Sequence, residues 1–278
     1  MIPRIIARLD IKNSNLVKGI HLEGFRVIGD PMEFALSYYN QGADEIMFQD
    51  VVASLYERNQ LFELITHVAK NIFIPITVGG GIRSLDDIQR ILHSGADKVS
   101  INTQAIRDPN FIYEAAKTFG SSTISLNIET IKNESGDYLV YSESGREETG
   151  LELVNWINKV QDLGAGELII TSVDNEGTGK GFDLDLMNLV NDNSFVPVIA
   201  HGGGGNPKHI FELLKECQLD GVIVASMIHY DAIISTDLSP KEEWGNTSFL
   251  NNPSNLITHS GSLQSIKKIL HKGGIDVR

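Results

Sequence analysis

Two acidic residues and two glycine-rich turns carry most of the chemistry legible in this 278-residue chain. Asp10 closes the apolar stretch 5–11, and Glu129 follows the apolar stretch 123–128. Paired carboxylates poised over a ligand are the usual equipment for general acid and base work. A single strand-end carboxylate serves as readily to cap a loop, but two at corresponding places weaken that alternative. The glycine-rich turns are PITVGGGIRS at 75–84 and PVIAHGGGGNP at 197–207. Each runs from an apolar strand into glycines and then into a helix. That order suits an anion, because glycines let backbone N–H groups approach a phosphate and a helix N-terminus favours negative charge. One such site in each half of the chain suggests a ligand with a phosphate at both ends.

The two turns belong to a longer repeat. Pro75 and Pro197 are 122 residues apart, as are Gly42 and Gly164, each of which opens a similar pentapeptide (GADEI and GAGEL). A shared long offset means two copies of one half-domain. Strand patterns occur at 5–11, 44–50, 73–78, 98–101, 123–128, 167–171, 198–200 and 221–225. Helical patterns occur at 31–41, 61–69, 85–94, 110–119, 151–163, 184–190, 208–215 and 263–271. Asp30 before Pro31 reads as an N-cap, and Ser84 caps a helix with Asp86 and Asp87 in its first turn. The length alone fits one barrel or two smaller domains. Eight strands alternating with helices, in two similar halves, imply a single closed (β/α)₈ TIM barrel with halves at about 1–120 and 121–230. The segment 131–146 reads as a hairpin inserted after the fifth strand. The segment 231–262 reads as a long loop before the last helix, either a lid or partner contact or a variable decoration.

Composition narrows the classes. Cys217 is the one cysteine, which excludes intramolecular disulfides and a Cys-rich metal site and fits a reducing cytosol. The formal net charge of −13 argues against non-specific nucleic-acid binding. No apolar run is long enough to span a bilayer and no signal-type h-region is present, so a cytoplasmic protein is expected. HExxH, a Walker lysine and CxxC are all missing, so no metal or organic cofactor is required.

In such a barrel the active site lies at the C-terminal ends of the strands. The polar or small residues there include Asp10, Asp50, Gly81, Asn102, Thr103, Glu129, Glu176, Gly177, His201, Gly203, Ala225 and Ser226. Near the strand beginnings stand Arg4, Glu45, Lys98 and Glu167. Alternation puts Arg4 on the same side as Arg8 and Asp10. Four charges of mixed sign facing into the closed end can neutralise one another as a structural plug.

These residues together resemble the cyclase-subunit family of imidazole glycerol phosphate synthase, HisF. The resemblance covers residues 4–230 and resumes in the last helix. Its specific stretches are 4–19 (RIIARLDIKNSNLVKG), 29–31, 78–84, 95–103, 163–178 and 225–230. It implies a reaction in which ammonia from a glutaminase subunit cleaves a bis-phosphorylated ribulosyl formimino-carboxamide nucleotide and closes an imidazole ring. It implies Asp10 as one catalytic acid/base and Glu129 in the position of the second. Gly81, Asn102 and Thr103 then match one phosphate site, while Gly177, Gly203, Ala225 and Ser226 match the other. Lys18 falls on the first mobile active-site loop. Arg4, Glu45, Lys98 and Glu167 match a charged gate through which ammonia enters, which implies a glutaminase docked on the N-terminal face.

The chain also departs from that family. Glu129 stands for an aspartate, Arg8 for a small residue, His201 for a serine and Glu176 for an aspartate. Gln49 and Asn127 replace apolar or small residues lining the interior. Misplacing a catalytic group by about 1 Å can cost on the order of 10²-fold in rate. An arginine inside a barrel must be paired or wet, so Arg8 is expected to pair with Glu129 or with substrate. His201 is either a catalytic base or a hydrogen-bonded strand-end histidine. Three readings follow: a working cyclase subunit, a HisF-like paralog supplying ammonia for amidation of a surface-polysaccharide sugar, or a non-catalytic scaffold for the glutaminase.

Overall fold

A computed structural model of the chain describes residues 2–52, 58–235, 238 and 260–278. Twelve strands are described: β1 (Arg4–Lys12), β2 (Asn15–Ile20), β3 (Glu23–Gly29), β4 (Glu45–Asp50), β5 (Ile76–Gly79), β6 (Lys98–Ile101), β7 (Ile124–Lys132), β8 (Tyr138–Ser142), β9 (Glu147–Glu152), β10 (Glu167–Ser172), β11 (Val198–His201) and β12 (Gly221–Val224). Eight of them form the ring β10-β11-β12-β1-β4-β5-β6-β7, and β7 pairs with β10 to close it. All eight pairings within the ring are parallel. Closure leaves none of these eight strands at an edge, and a helix follows each strand or hairpin to cover the outside.

Local chemistry starts these helices where the pattern predicts. Helix α1 (Pro31–Asn40) begins with Asp30 accepting from Met32 N at 2.8 Å and Glu33 N at 3.1 Å, with Pro31 in the first turn. The helix at Leu85–His93 carries a capping box between Ser84 and Asp87. Helix Leu153–Asp162 starts two residues later than the pattern suggests, because Leu151 and Glu152 finish β9. A short helix, Thr103–Arg107, was not apparent in the pattern.

Alternation along the strands separates two cores. Ile5, Ala7 and Leu9 of β1 face outward into the large core beneath the helices. Ile6, Met47, Ile169, Ile199 and Ile223 face inward and form a separate apolar layer within the barrel. The inward set of β1 is therefore Arg4, Ile6, Arg8 and Asp10.

The hairpin after the fifth barrel strand is present as β8 and β9, antiparallel to the end of β7. A second hairpin, β2 and β3, grows from the end of β1 and is not apparent in the pattern. Its turn residues His21 and Leu22 both have positive φ, at 53° and 59°, without the Asn-Gly signature such a turn usually carries. The expectation of a loop from 231 needs correction: 231–235 continue the helix Ser226–Ser235. Most of the remaining segment lies outside the described residues. The last helix runs Leu263–Lys272, packed through Leu263, Ile266 and Leu270.

Candidate active site

β1 and β7 lie diametrically opposite in the ring of eight. Asp10 and Glu129 therefore rise from facing walls, and both are buried. Strand register makes them equivalent: Asp10 pairs with Gln49 where Ile6 pairs with Glu45, and Glu129 pairs with Thr171 where Ser125 pairs with Glu167.

The glycine turns beside them are equivalent too. Gly80 and Gly202 both have φ of 97°. A Cβ at Gly80 would lie 2.1 Å from the carbonyl oxygen of Asp50, and one at Gly202 2.6 Å from that of Ser172. Only glycine fits either position, which brings each turn down onto the neighbouring strand end. Gly81, at φ 63°, Asn102 and Thr103 line a cavity of about 190 Å³ with Asp50 and Glu129. Arg83, Arg107 and Arg146 line the same cavity and are cations that sequence reasoning missed. Arg146 reaches it because β8 and β9 fold over the mouth, a tertiary placement no local motif announces.

The second glycine set is gathered differently. A Cβ on Gly177 would lie 2.8 Å from Ile20 Cα, so this turn packs beneath the β2–β3 hairpin. Lys18 of that hairpin forms a buried ion pair with Glu176 at 2.8 Å. Glu176 also holds the strained turn: its carbonyl accepts from His21 N at 3.0 Å, and its carboxylate accepts from Leu22 N at 2.9 Å. Gly203 lies against Gly181 O, and Ser226, 7% exposed, begins its helix after Ala225.

Glu129 Oε2 accepts from Gly145 N at 2.8 Å, and Asn127 Nδ2 stands 3.4 Å from Oε1. Burial pushes its carboxyl up to about 7, against the lowering effects of the Gly145 amide, Arg8 and Asn102, with Glu143 raising it slightly. Near neutral pH this group is therefore divided between acid and carboxylate. Arg8, expected to pair with Glu129 or with substrate, forms its ion pair within the chain with Asp10 and not with Glu129. Its Nε donates to Asp10 Oδ1 at 2.8 Å, and Nη1 stands 3.4 Å from His201 Nδ1. The pairing is with its strand neighbour because two residues along β1 return to the same face. His201, 4% exposed, is kept neutral: burial foremost, then Arg8 and Lys18, push it well below the ordinary histidine value.

At the opposite end the four charges close into a ring. Arg4 pairs with Glu45 at 2.8 Å and with Glu167. Lys98 pairs with Glu45 at 3.2 Å and Glu167 at 3.3 Å. Thr77 and Ser125 hydroxyls donate to the two carboxylates. Between ring and mouth, above the apolar layer, Gln49 Oε1 and Ser100 Oγ are buried without a hydrogen-bond partner. Among the described residues no three His, Cys, Asp or Glu side chains gather as a metal site, and no helix is long and apolar enough to cross a membrane.

A closed barrel with two buried carboxylates on facing strands and glycine turns at one mouth defines a class: the (β/α)₈ barrel enzymes, whose sites lie at this end. Residues 4–234 match the histidine biosynthesis protein family, and the chain belongs to that family. The imidazole glycerol phosphate synthase subunit HisF of Legionella pneumophila is 53% identical over 202 residues, covering 73% of this chain and 95% of that protein. The subunit of the same name from Lactococcus lactis subsp. cremoris strain MG1363 is 48% identical, covering 82% of this chain and 88% of its own length. That of Streptococcus mutans serotype c is 41% identical, covering 84% and 93%.

Proposed function

We propose that this chain is the cyclase subunit of an imidazole glycerol phosphate synthase, acting in histidine biosynthesis. The observation that carries the reading is the pair Asp10 and Glu129 on facing strands, flanked by two equivalent glycine turns; kinship to three HisF subunits supports it. The substrate is a bis-phosphorylated ribulosyl formimino-carboxamide nucleotide. Gly81, Asn102 and Thr103 hold one phosphate; Gly177, Gly203, Ala225 and Ser226 hold the other, with Lys18 and Glu176 beside it. Asp50 and His201 complete the substrate's surroundings. A nitrogen nucleophile closing a ring sheds protons, and the oxygen it displaces gains them. Two carboxyl groups on opposite walls serve both needs, and Glu129, half protonated near neutrality, is suited to give one up.

Ammonia enters from a glutaminase of the HisH type seated on the N-terminal face, through the ring of Arg4, Glu45, Lys98 and Glu167. Exposed apolar residues support that docking surface. Phe73 is 78% and Phe195 72% exposed, both just ahead of barrel strands and 122 residues apart in the repeat. The test incubates the purified chain with the nucleotide and an ammonium salt. Imidazole glycerol phosphate and aminoimidazole carboxamide ribotide are the expected products. A second reading, a relative supplying ammonia to a separate sugar-amidating enzyme, has one observation in its favour: Asp10 is engaged by Arg8. It predicts no imidazole product, and the same assay separates the two.

A further inference from the structure

The side chains above the apolar layer form one unbroken line from the first carboxylate to the second. Arg8 joins Asp10 to His201 Nδ1. His201 Nδ1 lies 3.1 Å from Thr171 Oγ1, which lies 3.0 Å from Asn127 Oδ1, and Asn127 Nδ2 reaches Glu129 Oε1. All six residues are at most 6% exposed. Arg8, Asn127, Glu129 and His201 are also four of the positions where the chain departs from the family it resembles.

Counting protons gives this line two directions. Thr171 has one hydroxyl proton. When it goes to Asn127 Oδ1, Thr171 can only accept from His201, so His201 carries its proton on Nδ1. Asn127 Nδ2 then donates to an ionised Glu129. When Glu129 is protonated and donates instead, the Asn127 amide turns over, because amide O and N are interchangeable in shape. Its Nδ2 then donates to Thr171, Thr171 donates to His201 Nδ1, and the His201 proton sits on Nε2. Arg8, which has only donors, can share the one Nδ1 lone pair with Thr171 in this second arrangement alone, as the longer contact of the two.

We propose that His201 is a positioning residue whose neutral ring changes tautomer with the protonation of Glu129, so that Thr171 and Asn127 relay the state of one carboxylate to the Arg8–Asp10 pair facing it. The relay deepens the acid/base reading of the two carboxylates and rests on it. The neutrality of His201 comes from burial, with Arg8 and Lys18 as the nearby charges; around Glu129 the charged neighbours are Arg8 and Glu143.

Ring ¹⁵N shifts of labelled protein report the tautomer directly and need no turnover, so failure of the relay is distinguishable from failure of the cyclase assay. The chain has eight histidines, and His201→Gln identifies the resonance by its loss. Between about pH 5 and about pH 9 the His201 proton is expected to move from Nε2 to Nδ1. The midpoint should follow that of the Glu129 carboxyl, about 7. Glu129→Gln and Thr171→Val should each hold one tautomer throughout, whereas Thr171→Ser keeps the hydroxyl and the switch. A ring that keeps one tautomer in the unaltered protein, or a switch that persists in Thr171→Val, overturns the proposal. If Thr171→Val does not fold, the Glu129→Gln arm decides alone.

Discussion

The backbone N–H of Gly145 donates to Glu129 Oε2 at 2.8 Å, tying the tip of the β8–β9 hairpin back to a carboxyl on β7, the strand from which the hairpin grows. That one bond makes the hairpin part of the wall of the cavity that Glu129 lines. It also offsets only some of the burial that raises Glu129.

Stability should depend on pH through Glu129. A carboxyl near 4.5 when unfolded and about 7 when folded favours the native state most below 4.5, and that contribution is lost as pH rises through 7. Relative to Glu129→Gln, the unaltered protein should therefore lose on the order of 3 kcal/mol between these limits. Urea unfolding of both proteins at about pH 5 and about pH 8 measures it. A constant difference would mean that Glu129 is not held protonated.

Length at the same position is a separate matter. Glu129→Asp withdraws the carboxyl from Gly145 N and Asn127 by roughly one bond. With these partners built around the longer side chain, turnover should fall by on the order of 10²-fold despite the closer match to the family. Steady-state kinetics with ammonium decide; a faster enzyme would show that Glu129 is a blemish and not a fitted part.

Removing Arg4 leaves Lys98 as the ring's one cation against Glu45 and Glu167. Partial exposure of the ring tempers the cost of a broken buried pair to about 2 kcal/mol for Arg4→Met. Adding Glu167→Gln should recover part of that loss, since the surplus charge goes with it. Strict additivity in thermal unfolding would argue that the ring is four independent contacts.

Gly80→Ala and Gly202→Ala each force a Cβ against a carbonyl at positive φ, and each should cost about 3 kcal/mol. Gly120→Ala, at φ 88° with nothing within 4 Å, carries the backbone strain alone and should cost about 1 kcal/mol. Equal losses at all three sites would remove the argument from close approach.

Phe73→Asp and Phe195→Asp touch little of the core, so stability should change by less than about 0.5 kcal/mol. If this face seats the glutaminase, affinity for it should fall at least about tenfold for either change. Calorimetric titration with the partner reads the effect, and unaltered binding by both variants would move the docking surface elsewhere.

Much of this architecture was determined by the order of residues alone. The shared offset of 122 residues set the two-fold repeat and so the corresponding places of Asp10 and Glu129. Periodicity set the eight strands, because alternation and helix capping are local rules. The mixed charges of Arg4, Glu45, Lys98 and Glu167 were legible as a ring for the same reason. Tertiary structure decided the rest. The β2–β3 turn has no turn signature, since Glu176, more than 150 residues away, supplies the hydrogen bonds that hold His21 and Leu22 at positive φ. Arg8 chose Asp10 over Glu129, and Arg107 and Arg146 joined the cavity, because partners at such sequence distances are fixed only when the barrel closes.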